Sequence, residues 1–221
     1  MESAEVLGAI HPLFHSWFAL DLVKMEHVPL DENTGRRLAT IFEQGSRTND
    51  FGEPQPGGPY GCAIVNEQLR SSRQVKLRMW AGRDFGQSTI QNSGVFSTEY
   101  DVIPDPALVT YPVFRSVIMA MVQVWGAVSA DAFSSDLIDA CELNDKHNVL
   151  RKRLFRPSWM TYLDAPRAAL ITPPAGVLCE RTPDGGLLLI AAEETFDVAN
   201  PRHMAAAWAI SDALASLTKF S

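Results

Sequence analysis

The chain is poor in cysteine: Cys62, Cys141 and Cys179 are its three thiols in 221 residues, and no two form a CxxC pair. So sparse and odd a set excludes a disulfide framework as the source of stability. Long hydrophobic runs are also missing. No stretch approaches the roughly 18 uninterrupted apolar residues of a membrane-spanning helix. The opening MESAEVLGAIHPLFHSWFALD carries acids, histidines and a proline where a signal peptide has a basic segment and then an apolar one. The expected location is therefore the cytoplasm. Positive charge is scarce too, with 19 basic against 26 acidic residues and a net charge of −7. That sign opposes free nucleic acid or anionic membrane as a general partner and suits a basic protein.

What remains is ordinary globular composition, 46% hydrophobic and 20% charged. A chain of this length buries roughly 70% of its unfolded surface without a metal staple. The expectation is one domain spanning residues 1–221.

The hydrophobic pattern switches period along the chain. Leu7, Ile10, Phe14, Trp17 and Phe18 recur at helical spacing and predict a helix over Ala4–Leu22, with Pro12 either kinking it or opening a helix that starts at Ile10 or His11. Asp31 is placed to cap a second helix, with Leu38, Ile41 and Phe42 as its stripe and Gly45 at its end. A polar loop rich in glycine and proline follows, from Gln44 to Tyr60. Residues 60–65, 75–79 and 95–102 then read as strands, the last two closing a hairpin. Val113, Val117, Met121, Val124 and Val128 mark a buried helix over Pro112–Val128, and Ser134–Leu143 a short one. Val177–Arg181 and Leu187–Ala192 flank Pro183-Asp184-Gly185-Gly186 and read as a hairpin with a tight primed turn. LLLIAA is apolar on both faces, as a central strand covered on both sides should be. Asn200-Pro201 opens the last helix, a capping side chain followed by proline at the first helical position. The order predicts an α+β fold, an antiparallel sheet packed with several helices.

Motifs for chemistry are weak. His11 and His15 share a helical spacing, but Pro12 stands where a zinc protease carries glutamate, and no third ligand is placed. There is no GxSxG, and the cysteines fall in no catalytic signature. PGGPYG and DGG lack the form of a phosphate-binding loop and are explained by turn chemistry. Two clusters stay open. Glu193, Glu194 and Asp197 close the apolar strand and suit a solvated strand end, a docking face for a basic protein, or the cation site of a small metal-dependent hydrolase. Residues 146–156 (KHNVLRKRLFR) hold five basic residues and no acid, a solvated face or the site of a nucleic-acid-binding regulatory module. The residues themselves assemble no catalytic, cofactor or metal site, which points to a binding protein.

A pattern over His11–Leu217 carries a resemblance. It comprises Pro29-Leu30-Asp31, Leu38-Ala39, Glu43-Gln44-Gly45 with Arg47 and Asp50, then Gly52, Pro54, Tyr60, Asn66, Gly82, Asn92 and Trp125. Its strongest part runs from Pro157-Ser158-Trp159-Met160-Thr161-Tyr162-Leu163 through Pro173-Pro174 and Pro183-Asp184-Gly185-Gly186-Leu187-Leu188-Leu189-Ile190 to Glu194 and Asn200-Pro201. In this the chain resembles the bacterial polymorphic-toxin immunity family numbered 52. It departs from the family in the extra glycine and proline of Gly57-Gly58-Pro59-Tyr60 and in the absence of a leading strand. Residues 131–153 read as an insertion, with Asp139–Arg153 the poorest match.

The resemblance implies a non-catalytic protein, without cofactor, that protects the producing cell from a type VI secretion toxin. The implied partner is a cognate nuclease with a restriction-endonuclease-like domain, bound directly. A nuclease offers positive charge to phosphates, and an acidic inhibitor exploits the same field. The candidate toxin-binding residues are Asp50, Phe51 and Glu53 with Tyr60 on the glycine-rich loop, Glu99 and Asp101 on the sheet edge, and Glu193, Glu194 and Asp197 after the apolar strand. Phe51 and Tyr60 are the aromatic anchors a tight interface needs; Tyr60 in the alternative begins a strand, and Asp50 caps a turn.

Overall fold

The computed structural model describes residues 2–21, 26–30, 40–41, 60–81, 93–98, 101–144 and 153–217. The chain divides into two compact units, residues 1–108 and 109–221. Each has its own antiparallel sheet, and the fold is α+β.

In the first unit, α1 (Glu2–Gly8) is followed by a 3-10 turn at Pro12–Phe14 and then by strands β1 (Phe18–Asp21), β2 (Glu26–Pro29), β3 (Tyr60–Val65), β4 (Val75–Ala81) and β5 (Ser93–Thr98). The sheet order is β2-β1-β3-β4-β5. The helix expected over Ala4–Leu22 is therefore three elements. Pro12 opens the 3-10 turn, which His11 caps by accepting the Leu13 N–H on Nδ1 at 3.2 Å. Beyond it, pairing with β2 and β3 pulls Phe18–Asp21 into a strand. Three of the five apolar positions, Leu7, Phe14 and Trp17, are buried even so, and Phe14 packs edge-on against Phe96 with ring centres 5.2 Å apart. Tertiary pairing decided the element where spacing had decided only burial.

Asn66 holds this unit at its centre. It is buried at the end of β3, and its amide donates to the carbonyls of Leu13 (3.1 Å) and Arg73 (3.0 Å) while its oxygen accepts the Val75 N–H at 2.7 Å. One side chain thus ties the 3-10 turn to the β3–β4 connection, with both of its own buried polar atoms matched.

β4 and β5 pair antiparallel from Val75↔Thr98 to Trp80↔Ser93, as the alternation predicts. The strand ends earlier than read from sequence: Asp101 and Val102 lie in a turn and bend. Thr40 and Ile41 are helical, consistent with the second expected helix; the rest of that helix and the loop up to Pro59 lie outside the described residues.

The second unit contains α2 (Tyr111–Trp125), β6 (Ser129–Ala132), α3 (Ser135–Asn144), β7 (Met160–Leu163), α4 (Ala165–Ala168), β8 (Leu178–Arg181), β9 (Leu187–Ile190) and α5 (Pro201–Ala213). Its sheet order is β6-β7-β9-β8. α2 stops before the expected Val128 because Gly126 takes the left-handed conformation (φ 54°) that ends a helix. The four residues of β9 are all buried, and their alternation divides the core. Leu188 and Ile190 pack with Ile118 and Val122 of α2, whereas Leu187 and Leu189 pack with Ile210 and Leu214 of α5. This is the doubly covered central strand that LLLIAA predicts.

The β8–β9 hairpin closes differently from a two-residue primed turn. The Gly185 N–H donates to the Thr182 carbonyl at 2.9 Å, so Pro183 and Asp184 are the turn's centre and Gly185 (φ 87°) follows as the left-handed residue. Gly186 then lets the backbone pass Tyr162: a Cβ there would lie 2.6 Å from the Tyr162 hydroxyl. Asn200 caps α5 through the Arg202 N–H at 3.0 Å, as its sequence foretells. Among the described residues, no helix is long and apolar enough to cross a membrane.

Candidate functional site

The three acids after β9 have separate roles. Glu193 is exposed and points charge at solvent. Glu194 turns back to the buried His203 on the first turn of α5, Oε1 to Nε2 at 2.8 Å. Asp197 uses its backbone: its N–H donates to Nδ1 of His203 at 3.1 Å, and its carboxylate accepts the Ala199 N–H at 2.8 Å. A backbone N–H can only donate, so Nδ1 is the bare nitrogen and Nε2 carries the proton given to Glu194. This hydrogen bond holds the Glu194 carboxyl below its ordinary range. Phe196 lies against the same imidazole, ring centres 5.5 Å apart, and Thr195 donates to the Val109 carbonyl at 2.7 Å. The segment is thus an acid-bearing loop pinned from behind by one histidine. The Glu194 carboxylate meets the histidine while that of Asp197 caps the Ala199 N–H, and among the described residues no group of three or more His, Cys, Asp or Glu is placed to hold a metal ion.

Loop Glu193–Asp197 forms because β9 ends at Ile190 and the Asn200 cap starts α5 ten residues later. The cap also sets His203 three residues inside the helix, facing back along the chain. His203 is absent from the sequence-derived candidates. The signal that could have found it is the Asn200-Pro201 cap, which puts the third helical residue in the first turn, beside the preceding loop.

The other candidates scatter. Asp101 is not on the edge strand; it sits in the turn beyond β5, paired with Arg70 at 2.8 Å, both side chains more than half exposed. Tyr60 begins β3, the alternative its position left open. Asp50, Phe51, Glu53 and Glu99 lie outside the described residues.

In the basic segment, Arg153 is tied to Asp212 (2.7 Å) and the Ser211 hydroxyl (2.9 Å) and lies over the Trp208 ring. Arg156 pairs with Glu142 at 3.4 Å. Both described arginines of that run therefore serve intramolecular pairs. His11 caps a turn, and Cys62 sits half-buried in β3, where desolvation pushes its thiol up to about 11, the opposite of an activated nucleophile.

Comparison with known proteins gives one result. The model of the family described as immunity protein 52 matches residues 66–219. No curated protein matches the chain.

Proposed function

Because the chain belongs to the immunity protein 52 family, and its members are immunity proteins for polymorphic toxins, we propose that it neutralises a type VI secretion nuclease in the cytoplasm of the producing cell. It does so by binding, without turnover. The sequence is similar to TsiT, the immunity partner of the effector TseT, and the toxin expected here is a nuclease of that restriction-endonuclease-like kind. The family match carries the reading. Charge supports it: at −7 the chain complements a domain that must attract phosphates.

The docking face we favour includes the exposed Glu193 on a loop that His203 keeps in place. A pinned loop loses little entropy on binding, which favours tight capture. Asp101 presents its charge beside Arg70 and contributes less. In the first unit, Asp50, Phe51, Glu53, Tyr60 and Glu99 are proposed separately as toxin contacts, with Phe51 as anchor.

The test is co-expression in a cell lacking its own copy. The toxin encoded beside this chain's gene kills alone and is tolerated when the chain is present. Killing that continues at matched expression overturns the proposal.

A further inference from the structure

Next to β6 the second unit contains a cavity of about 240 Å³. Phe133, Ile138, Leu154 and Pro157 supply its walls. Asp131 stands at its polar end in one cross-strand row with Thr161 and Leu189. The Thr161 hydroxyl bonds to the Asp131 carboxyl and, at 2.5 Å, to Ser158. No cation pairs with Asp131 among the described residues. Arg156, itself part of the cavity lining, is paired with Glu142 at 3.4 Å.

The space is smaller than the roughly 300–1,000 Å³ of a cofactor or drug-sized pocket. It fits one long side chain. Apolar walls match a methylene stem, and a carboxylate at the end matches a cationic head. Phe133, 54% exposed, offers a ring to that cation. Arginine satisfies all three features and is among the residues that most often anchor interfaces. We propose that this cavity receives an arginine side chain of the toxin, with Asp131 as its counter-ion. The inference rests on the reading of the chain as an immunity protein and adds a docking point that the acid-bearing loop does not include.

The state of Asp131 agrees. Although the residue is exposed, surrounding protein weakens its hydration and pushes the carboxyl up to about 6, with the Thr161 hydrogen bond acting the other way. An incoming guanidinium selects the ionised form. Affinity for the toxin is then full above about pH 6 and falls about tenfold per pH unit below it.

Two experiments decide the matter. In the first, the whole chain is titrated with n-butylguanidinium, and with n-butanol as the uncharged control, while NMR follows the Asp131 carboxyl and the Phe133 and Ser158 amides. Saturable shifts with the cation alone, lost in Asp131→Asn and weakened in Phe133→Ala, are expected. No saturable shift, or shifts indifferent to Asp131→Asn, overturns the proposal. In the second, toxin affinity is measured for both variants, with thermal melting to verify their folding. A loss of at least tenfold in Asp131→Asn is expected. Equal affinity overturns the cavity's role and leaves the immunity reading standing. Absence of toxin binding by the unmodified chain overturns that reading, and the guanidinium titration still decides whether the cavity takes a cation. A dimer of the free chain that dissociates in Asp131→Asn assigns the cavity to a second copy and overturns the proposal.

Discussion

His203 gives its only ring proton to Glu194, at 2.8 Å, because its other nitrogen is already occupied by the Asp197 backbone. The imidazole is buried and half of its hydrogen bonding holds main chain, so its first job is to fix the loop between β9 and α5. His203→Ala leaves the Asp197 N–H without its acceptor and opens a void beside Phe196. A loss of about 1–3 kcal/mol follows, read by chemical denaturation. Glu194→Gln still offers Nε2 an acceptor, and its unfolding midpoint should stay close to that of the unmodified chain.

Tyr162 provides a pH signature at the other end of the same sheet. Burial, followed by its bond to the Asp184 carboxylate at 3.1 Å, pushes its hydroxyl up to about 12. The folded value lies above the ordinary tyrosine value of about 10. The stabilisation is therefore complete below about pH 10 and is lost as pH rises from there through about 12. Denaturation midpoints between pH 9 and 12 should fall in the native chain and fall less in Tyr162→Phe.

Gly186 is needed for contact rather than for backbone freedom. A Cβ at this position meets Thr182 Oγ1 and the Tyr162 hydroxyl, each at 2.6 Å. Gly186→Ala should cost about 1–3 kcal/mol, the usual range for forced overpacking. The double variant with Tyr162→Phe should recover part of it, because one of three obstructing atoms is gone while Thr182 Oγ1 and the ring Cε2, at 2.7 Å, remain.

If the loop after β9 faces the toxin, Glu193→Lys reverses a charge that makes no ion pair among the described residues. The association rate should fall severalfold at low salt. The effect should fade by 1 M salt, where the screening length drops from about 10 Å at 0.1 M to about 3 Å. Stopped-flow binding at several ionic strengths reads both. An unchanged rate at low salt removes Glu193 from the interface.

The legible parts of the sequence were those where local chemistry and tertiary demand agree. Asn200-Pro201 caps a helix on its own, and LLLIAA is too apolar for any edge position; both stand where they were read. The expected helix at Ala4–Leu22 failed beyond Gly8 because helical spacing also describes residues whose apolar side chains meet in one core after a turn. β1, β2, β6 and β7 went unread for a similar reason. They are four-residue strands, and only their partners make them strands. The site was legible as far as its acids. Spacing displayed Glu193, Glu194 and Asp197 as a cluster, but the imidazole that divides their roles arrives from α5. Asp131 acquires meaning only when β6, β7 and the segment at Leu154–Ser158 come together.

The most direct test of the account is a stoichiometric titration of purified toxin, with DNA cleavage as the readout. The account predicts that cleavage declines in proportion to added chain and stops at one equivalent, with the chain recovered unaltered in a complex. Cleavage that persists beyond one equivalent, or that ends at a small fraction of one through chemical modification of the toxin, would contradict it.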